Sequence, residues 1–265
     1  MIPGWDPESA DVEVLKGGLT NRVYRVCDGD RDCVLRLSPT DADAFGLDRS
    51  NELPILEQAG RAGIAPRVLY ANRPAGIVLT EFLPGRVWAD ADMQDIGQLE
   101  TLAELLRSVH ALPVCNFRIN LSVMARNYCD YLQRRQGLHA FASICVEIID
   151  GIPVREELAC CHNDIVAANV VDDGVLKLID WEYACDNDPM FDLASAIGYH
   201  NLDDHKAATL LRAYAGGAGA ELEERLREQI RAYDAIQWLW LATRHLVSPS
   251  QEQAKRLEEL QQRIR

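Results

Sequence analysis

The stretch of sequence that decides the fold is Cys161–Ala194, which reads CHNDIVAANVVDDGVLKLIDWEYACDNDPMFDLA. It opens with the pattern H-x-D-x4-N, formed by His162, Asp164 and Asn169. Two short apolar strands follow, and the Asp-Asp-Gly turn between them predicts a hairpin. A hairpin reverses the chain, so Asp180 at its end should lie beside the loop that carries Asp164 and Asn169. Three oxygen-bearing side chains are therefore expected to converge.

These three side chains carry the groups that phosphoryl transfer requires. A carboxylate can accept the proton of an attacking hydroxyl, while an amide oxygen and a second carboxylate are hard ligands that suit Mg²⁺. The reaction depends on a positioned hydroxyl and on metal bridging the phosphates. The alternative is a loop whose Asp and Asn form only local turn bonds. The full spacing, with an apolar strand before Asp180, favours the catalytic interpretation.

The same stretch resembles the catalytic loop and metal-binding segment of the protein-kinase-like fold. It is most similar to the choline/ethanolamine kinase and aminoglycoside phosphotransferase superfamily, and to bacterial choline kinases in particular. The resemblance implies that Asp164 is the catalytic base and that His162 braces this catalytic loop. It also implies that Asn169 and Asp180 hold Mg²⁺ against the phosphates of ATP, so ATP and Mg²⁺ are the expected cofactors. Asp192 would brace the loop from the next helix, or be a carboxylate stabilised at that helix's N-terminus.

The acceptor is expected to be a small molecule rather than a protein. Asp180 is followed by Trp-Glu instead of Phe-Gly, and only eleven residues separate it from Asp192. That spacing leaves no room for a long activation segment that could hold a peptide.

The order of elements predicts a small sheet-rich lobe followed by a larger helical lobe, and the resemblance implies that this is an α+β fold of the bilobal protein-kinase-like type. A small antiparallel-sheet lobe at residues 1–83 would bind the nucleotide, and a larger, mostly helical lobe at 84–265 would hold the catalytic and acceptor sites. The predicted strands are 22–26, 33–37, 67–70, 76–81, 169–171 and 176–179. Apolar periodicity and breaker residues predict helices at 48–62, 96–109 and 121–132, and from 191 onward with a break near 216–217.

The nucleotide site is expected in the amino-terminal lobe. A double glycine before a strand could cover phosphates through backbone N–H groups, or form an ordinary turn. Arg36 stands where the kinase fold usually has Lys, so the resemblance implies that it holds phosphates and pairs with Glu52; an exposed strand charge is the alternative. The segment 80–82 matches the hinge whose backbone meets adenine. The predicted nucleotide-binding residues are Gly18, Thr20, Asn21, Arg36, Glu52, Glu81 and Phe82.

The acceptor is expected to be a cationic alcohol, with choline or ethanolamine first and thiamine or an aminoglycoside as alternatives. Aromatic faces attract quaternary ammonium groups by ~0.5–2 kcal/mol each, although aromatics at helical spacing also form cores. Trp238 and Trp240 point about 200° apart on a helix, so one of them should face the cleft, and Trp240 better matches the family position. The predicted acceptor-binding residues are Trp181, Glu182, Tyr183 and Trp240. A nucleotide-binding protein without turnover is the non-enzyme alternative.

Charge and composition argue against nucleic acid and anionic membranes as main partners. Lys and Arg number 27 against 41 Asp and Glu, a net charge of −14, which disfavours nucleic acid and anionic membranes. The first ten residues lack the pattern of a secretory leader, and no apolar run approaches the ~18 residues of a membrane span. A cytoplasmic protein whose eight cysteines are reduced thiols is therefore expected.

Overall fold

A computed structural model describes residues 10–15, 21–38, 51–133, 136–217 and 219–265. Its amino-terminal part is a five-stranded sheet, antiparallel throughout, with the strand order β1-β2-β3-β5-β4. The strands are β1 (Asp11–Leu15), β2 (Arg22–Asp28), β3 (Arg31–Leu37), β4 (Val68–Asn72) and β5 (Ile77–Glu81). The predicted hairpin of β2 and β3 is confirmed, and both strands run closer to the turn than predicted. β1 was not predicted.

Helix α1 (Glu52–Arg61) follows β3 and buries one apolar face. Ile55 and Ala59, four residues apart, are 1% and 0% exposed. Pro54 lies in the first turn, where its missing N–H breaks no helical hydrogen bond. The first residues of the predicted helix, 48–50, lie outside the described residues, and Asn51 is the N-cap.

The rest of the chain is mostly helical, as predicted. The helices are α2 (Asp90–Met93), α3 (Ile96–His110), α4 (Leu121–Leu132), α5 (Gln136–Asp150), α6 (Met190–His200), α7 (Asp204–Ala215), α8 (Ala220–Val247) and α9 (Gln251–Ile264). The apolar stripe predicted for α3 faces the core, since Leu99, Leu102, Leu106 and Val109 are all 0% exposed. Helix α5 was not predicted. The α+β, protein-kinase-like fold class is confirmed.

Five short strands lie within the stretch 161–194 or pair with it. They are β6 (Arg86–Val87), β7 (Ala159–Cys161), β8 (Val170–Asp172), β9 (Leu176–Leu178) and β10 (Cys185–Asn187). β8 and β9 form the predicted antiparallel hairpin, and β6 pairs with the outer side of β8. The hairpin reverses the chain as expected. At its open end the N–H of Ile179 donates to the Asn169 carbonyl at 2.9 Å. This bond places Asp180 beside the loop 162–169.

Two expectations about the chain as a whole can be checked. The eight cysteines are free thiols, and burial raises the pKa of the Cys145 thiol to about 12. Within the described ranges, no helix combines the length and the apolar character that crossing a membrane demands.

Candidate active site

The loop 162–169 is anchored to α6 by Asp192. The N–H groups of His162 and Asn163 donate to the two oxygens of this carboxylate at 2.9 and 2.6 Å. Asp192 is fully buried, and burial alone would raise its pKa. Hydrogen bonds from His110 and from the loop backbone outweigh burial, so the pKa of Asp192 lies below its ordinary value. A buried charged carboxylate therefore lies where the sequence analysis placed a brace.

His110 extends this anchor and was missed by the sequence analysis. Its Nε2 donates to Asp192 at 3.0 Å, and its Nδ1 lies 2.8 Å from the Tyr214 hydroxyl. His110 is the last residue of α3, directly after the predicted apolar stripe. A single histidine at a helix end carries no spacing signal, so only its position in that amphipathic helix could have suggested an inward-facing side chain.

His162 connects the loop to the strand that leads to Asp180. Its Nε2 donates to the Ile179 carbonyl at 3.0 Å, and its ring packs edge-on against Trp181, with centroids 4.9 Å apart. The side chain is fully buried, and burial lowers its pKa. A neutral, enclosed imidazole cannot reach a substrate, so the geometry of His162 is that of a brace rather than of a proton-transfer group.

Asp164 and Asn169 are bonded to each other across the loop. The Asn169 amide nitrogen donates to the Asp164 carboxylate at 2.9 Å and to the Asp164 carbonyl at 3.0 Å. Both amide protons are thereby used, which turns the Asn169 Oδ1 away from Asp164. A carbonyl-type oxygen held in this way fits a hard cation such as Mg²⁺.

Asp164 has a strongly shifted acidity. Burial and, second, the negative charge of Asp180 raise the pKa of Asp164 to about 7, against a weaker lowering by the Asn169 amide. Two carboxylates that repel each other in this way favour a shared cation or a shared proton. The pair therefore has the electrostatics of a cation site next to a base.

Asp180 stands in a left-handed backbone conformation, with φ 63° and ψ 61°. Asp and Asn tolerate this region better than other residues with a Cβ. The Asp180 Oδ1 lies 3.5 Å from Arg36 Nη1. The turn therefore points the carboxylate toward the five-stranded sheet and Arg36.

Arg36 and Glu52 form the ion pair that the sequence analysis expected. Their side chains are only 13% and 7% exposed. Pro54 does not prevent the contact, because α1 begins at Glu52 itself. One buried guanidinium thus lies between a carboxylate from α1 and the carboxylate of Asp180, which gives it a fixed orientation.

Asn21 and Glu182 contact each other rather than two separate ligands. The Asn21 amide nitrogen donates to Glu182 at 2.9 Å, and both residues are buried. Glu182 is therefore engaged with Asn21, directly before β2, and its contact with the acceptor stays a prediction. Gly18 and Thr20 lie outside the described residues.

The predicted hinge, residues 80–82, has two backbone N–H groups that are bonded within the protein. The N–H of Glu81 donates to the Arg67 carbonyl at 3.0 Å, and the N–H of Phe82 donates to the Asp32 carbonyl at 3.1 Å. The Glu81 carboxylate pairs with Arg67 at 2.7 Å. These two N–H groups are satisfied within the protein, and the expectation that backbone groups of residues 80–82 meet adenine stays a prediction.

The predicted acceptor aromatics divide into core and partly exposed residues. Trp181 is 1% exposed, its ring covers His162, and its N–H donates to the Leu178 carbonyl at 2.9 Å. Trp181 is thus a core residue, which corrects its predicted contact with the acceptor. Tyr183 is only partly buried. Burial, followed by the charge of Glu182, raises the pKa of Tyr183.

The two late tryptophans on α8 face different surroundings, as their separation on a helix predicts. Trp238 is 1% exposed and packs on Phe141 at 4.7 Å. Trp240 is partly exposed, and the Arg244 guanidinium lies 5.2 Å from its ring centroid. Trp240 is therefore the member available to a ligand, and a cation of the protein already lies near its ring.

Comparison with known proteins agrees with this geometry. The sequence profile of the phosphotransferase enzyme family matches residues 11–233. The chain belongs to this family. Three similar proteins are described next.

The chain is 26% identical to the probable choline kinase 3 of Arabidopsis thaliana over 223 residues, which cover 76% of this chain but only 64% of the plant protein. It is 28% identical to an aminoglycoside 3'-phosphotransferase of Streptomyces fradiae, covering 70% of this chain and 87% of that protein. A solved choline/ethanolamine kinase family protein from Mesorhizobium loti superposes with a TM-score of 0.75 at 26% identity, covering 96% of this chain and 86% of that one. The chain thus spans a little under two thirds of the plant relative and most of the other two.

Proposed function

We propose that this chain transfers the γ-phosphoryl group of ATP to the hydroxyl of a small molecule. The observation that carries the proposal is the meeting of Asp164, Asn169 and Asp180 at one end of the β8–β9 hairpin, next to the Arg36–Glu52 pair. We assign nucleotide binding to residues 1–83 and acceptor binding to residues 84–265.

Each residue then has a distinct task. Asp164 accepts the proton of the acceptor hydroxyl, and the Asn169 amide fixes the orientation of that carboxylate. The Asn169 Oδ1 and the Asp180 carboxylate are the groups that would hold Mg²⁺. Mg²⁺, when bound, supplies positive charge to the phosphate oxygens and removes the repulsion between Asp164 and Asp180. Arg36, oriented by Glu52, adds positive charge on the sheet side.

Among small alcohols, we propose choline and ethanolamine as the first acceptors to test. The support is the resemblance to choline kinases over most of the chain, together with the partly exposed Trp240 and Tyr183. Arg244 near Trp240 disfavours a second cation at that ring, and this applies equally to thiamine and aminoglycosides, which are cationic too. These two alternatives belong in the same test because similar proteins include an aminoglycoside 3'-phosphotransferase and a thiamine kinase. We further propose that the reaction takes place in the cytoplasm on a free small molecule.

A transfer assay with labelled ATP tests the proposal directly. The purified chain is incubated with Mg²⁺ and with choline, ethanolamine, thiamine or an aminoglycoside, and product formation is compared with ATP hydrolysis. The expected result is phosphorylation of one acceptor, with a rate that is roughly 10²–10⁴-fold lower in Asp164→Asn. Nucleotide binding without transfer to any acceptor would instead support a nucleotide-binding protein without turnover.

A further inference from the structure

Helix α6 holds more of the catalytic loop than Asp192 alone. The Ser195 hydroxyl accepts the N–H of Ile165 at 2.8 Å, and the His200 Nε2 accepts the N–H of Ala167 at 3.0 Å. Three side chains of one helix, spaced along two turns, therefore accept backbone donors along the loop. The His200 contact lies nearest to the metal side of the loop.

The N–H of Ala167 needs an acceptor that the loop itself does not supply. Ala167 begins a single 3₁₀ turn, Ala167–Asn169, whose N-cap residue is Val166. The first N–H groups of a helical turn have no partner within the turn, and a valine side chain offers none. His200 supplies the missing acceptor from another element, and so fixes the start of the turn that ends at Asn169.

The imidazole of His200 is held in one tautomer. Nε2 accepts a backbone N–H, so the ring proton is on Nδ1, which lies 3.1 Å from the Asp90 carboxylate at the start of α2. The Gln94 amide nitrogen donates to the His200 carbonyl at 2.9 Å. The His200 side chain is only 2% exposed. Contacts on the ring and on the backbone thus fix the acceptor atom in front of Ala167.

We propose that His200 is a positioning residue for Asn169: through the Ala167 N–H, it fixes the turn that presents the Asn169 Oδ1 as a metal ligand. This inference rests on the proposed phosphotransfer function. The His200 side chain is 2% exposed and bonds the loop and Asp90, so its effect should fall on the metal requirement and on turnover rather than on acceptor binding.

Two amide substitutions separate this role from simple core packing. In His200→Gln the side-chain oxygen reaches about as far as Nε2 and can still accept the Ala167 N–H. In His200→Asn the amide reaches only as far as Nδ1, so the contact with Asp90 can form but the contact with Ala167 is lost. Both variants place a polar amide in the same enclosed position. His205→Gln, at an exposed position on α7, is the matched control.

Two measurements are made on the full chain. The first is the Mg²⁺ concentration for half-maximal turnover, together with KM for the acceptor. Partners that orient a metal ligand typically alter metal affinity or activity 10–100-fold, so His200→Asn should raise the Mg²⁺ requirement roughly 10–100-fold with little change in acceptor KM. His200→Gln should recover most of this loss. The second is hydrogen exchange at the Ala167 amide without nucleotide or metal, which should be roughly tenfold faster in His200→Asn only.

Equal behaviour of the Gln and Asn variants in both measurements would overturn the proposal, as would unchanged exchange at Ala167 in His200→Asn. In His200→Asn, an increase in acceptor KM larger than the increase in Mg²⁺ requirement would also count against the proposal. If the wild-type chain phosphorylated none of the acceptors, the proposed function would fail. The exchange comparison would still decide whether His200 holds the Ala167 amide.

Discussion

Replacing Asp164 with asparagine should slow the reaction and stabilise the protein at the same time. The amide keeps the shape of the side chain and an oxygen that can accept the Asn169 donor. It cannot accept a proton from the acceptor hydroxyl, so turnover should fall by roughly 10²–10⁴ while nucleotide affinity changes little. Near-normal turnover would refute the assignment of Asp164 as the base.

The gain in stability follows from the raised pKa of Asp164. In the unfolded chain the group titrates near 3.8, whereas burial and Asp180 raise the pKa to about 7 in the fold. A folded pKa above the unfolded one means that stability is complete below the unfolded value and is lost as pH rises through the folded value. The whole shift corresponds to about 4 kcal/mol. Because Asp164 is partly exposed, screening reduces this figure, and we expect about 1–2 kcal/mol.

The assay is thermal unfolding of the metal-free and nucleotide-free protein at pH 5.5 and pH 8. Asp164→Asn should melt above the wild type at pH 8 by about 2–8 °C, and the advantage should shrink at pH 5.5, where much of wild-type Asp164 is protonated in the fold. Glu100→Gln removes one exposed charge from α3 and serves as the control for net charge. A stability gain equal at both pH values, or equal to that of Glu100→Gln, would show that Asp164 is not electrostatically strained.

Four further predictions concern the metal and acceptor sites. Asp180→Ala should abolish Mg²⁺-dependent ATP binding in calorimetry, and unchanged affinity would contradict its assignment as a ligand. Asn169→Ala should have a milder effect on the Mg²⁺ requirement, because water can replace a neutral oxygen; a loss as large as that of Asp180→Ala would argue against this ranking. Trp240→Ala should raise KM for a cationic acceptor roughly tenfold with little change for ATP, whereas a core role would lower the melting temperature and harm both substrates. In the same assay, Arg244→Gln should lower KM for a cationic acceptor if the acceptor cation approaches that ring, and no change would place the cation elsewhere.

The sequence was most informative where structure is set locally. The β8–β9 hairpin follows from an Asp-Asp-Gly turn between two apolar runs, and it returns Asp180 to the end of the loop that carries Asp164 and Asn169. The amphipathic pattern of α3 likewise determined which of its faces is buried. Turn chemistry and periodicity are properties of a few neighbouring residues, so a single sequence carries them.

The parts that could not be predicted depend on contacts between distant segments. Asn21 and Glu182 are 161 positions apart and still share a hydrogen bond. The hinge N–H groups are taken by carbonyls of β3 and of the residue before β4, and no sequence rule specifies that pairing. His110 and His200 are single residues without a spacing pattern. Trp181 was expected near the acceptor because it follows Asp180 in sequence, but adjacency in sequence says nothing about the direction of its ring.

The left-handed backbone at Asp180 restricts how a lineage of such proteins could lose activity. Most residues with a Cβ are strained there by about 1–2 kcal/mol, whereas Asn and Gly tolerate the conformation. Random loss of the carboxylate should therefore leave Asn or Gly at this position more often than Ala, Val or Glu. A homologue with Asn or Gly at the position of Asp180 would keep the turn and the fold, and such a substitution would distinguish inactive descendants from active ones in a sequence alignment.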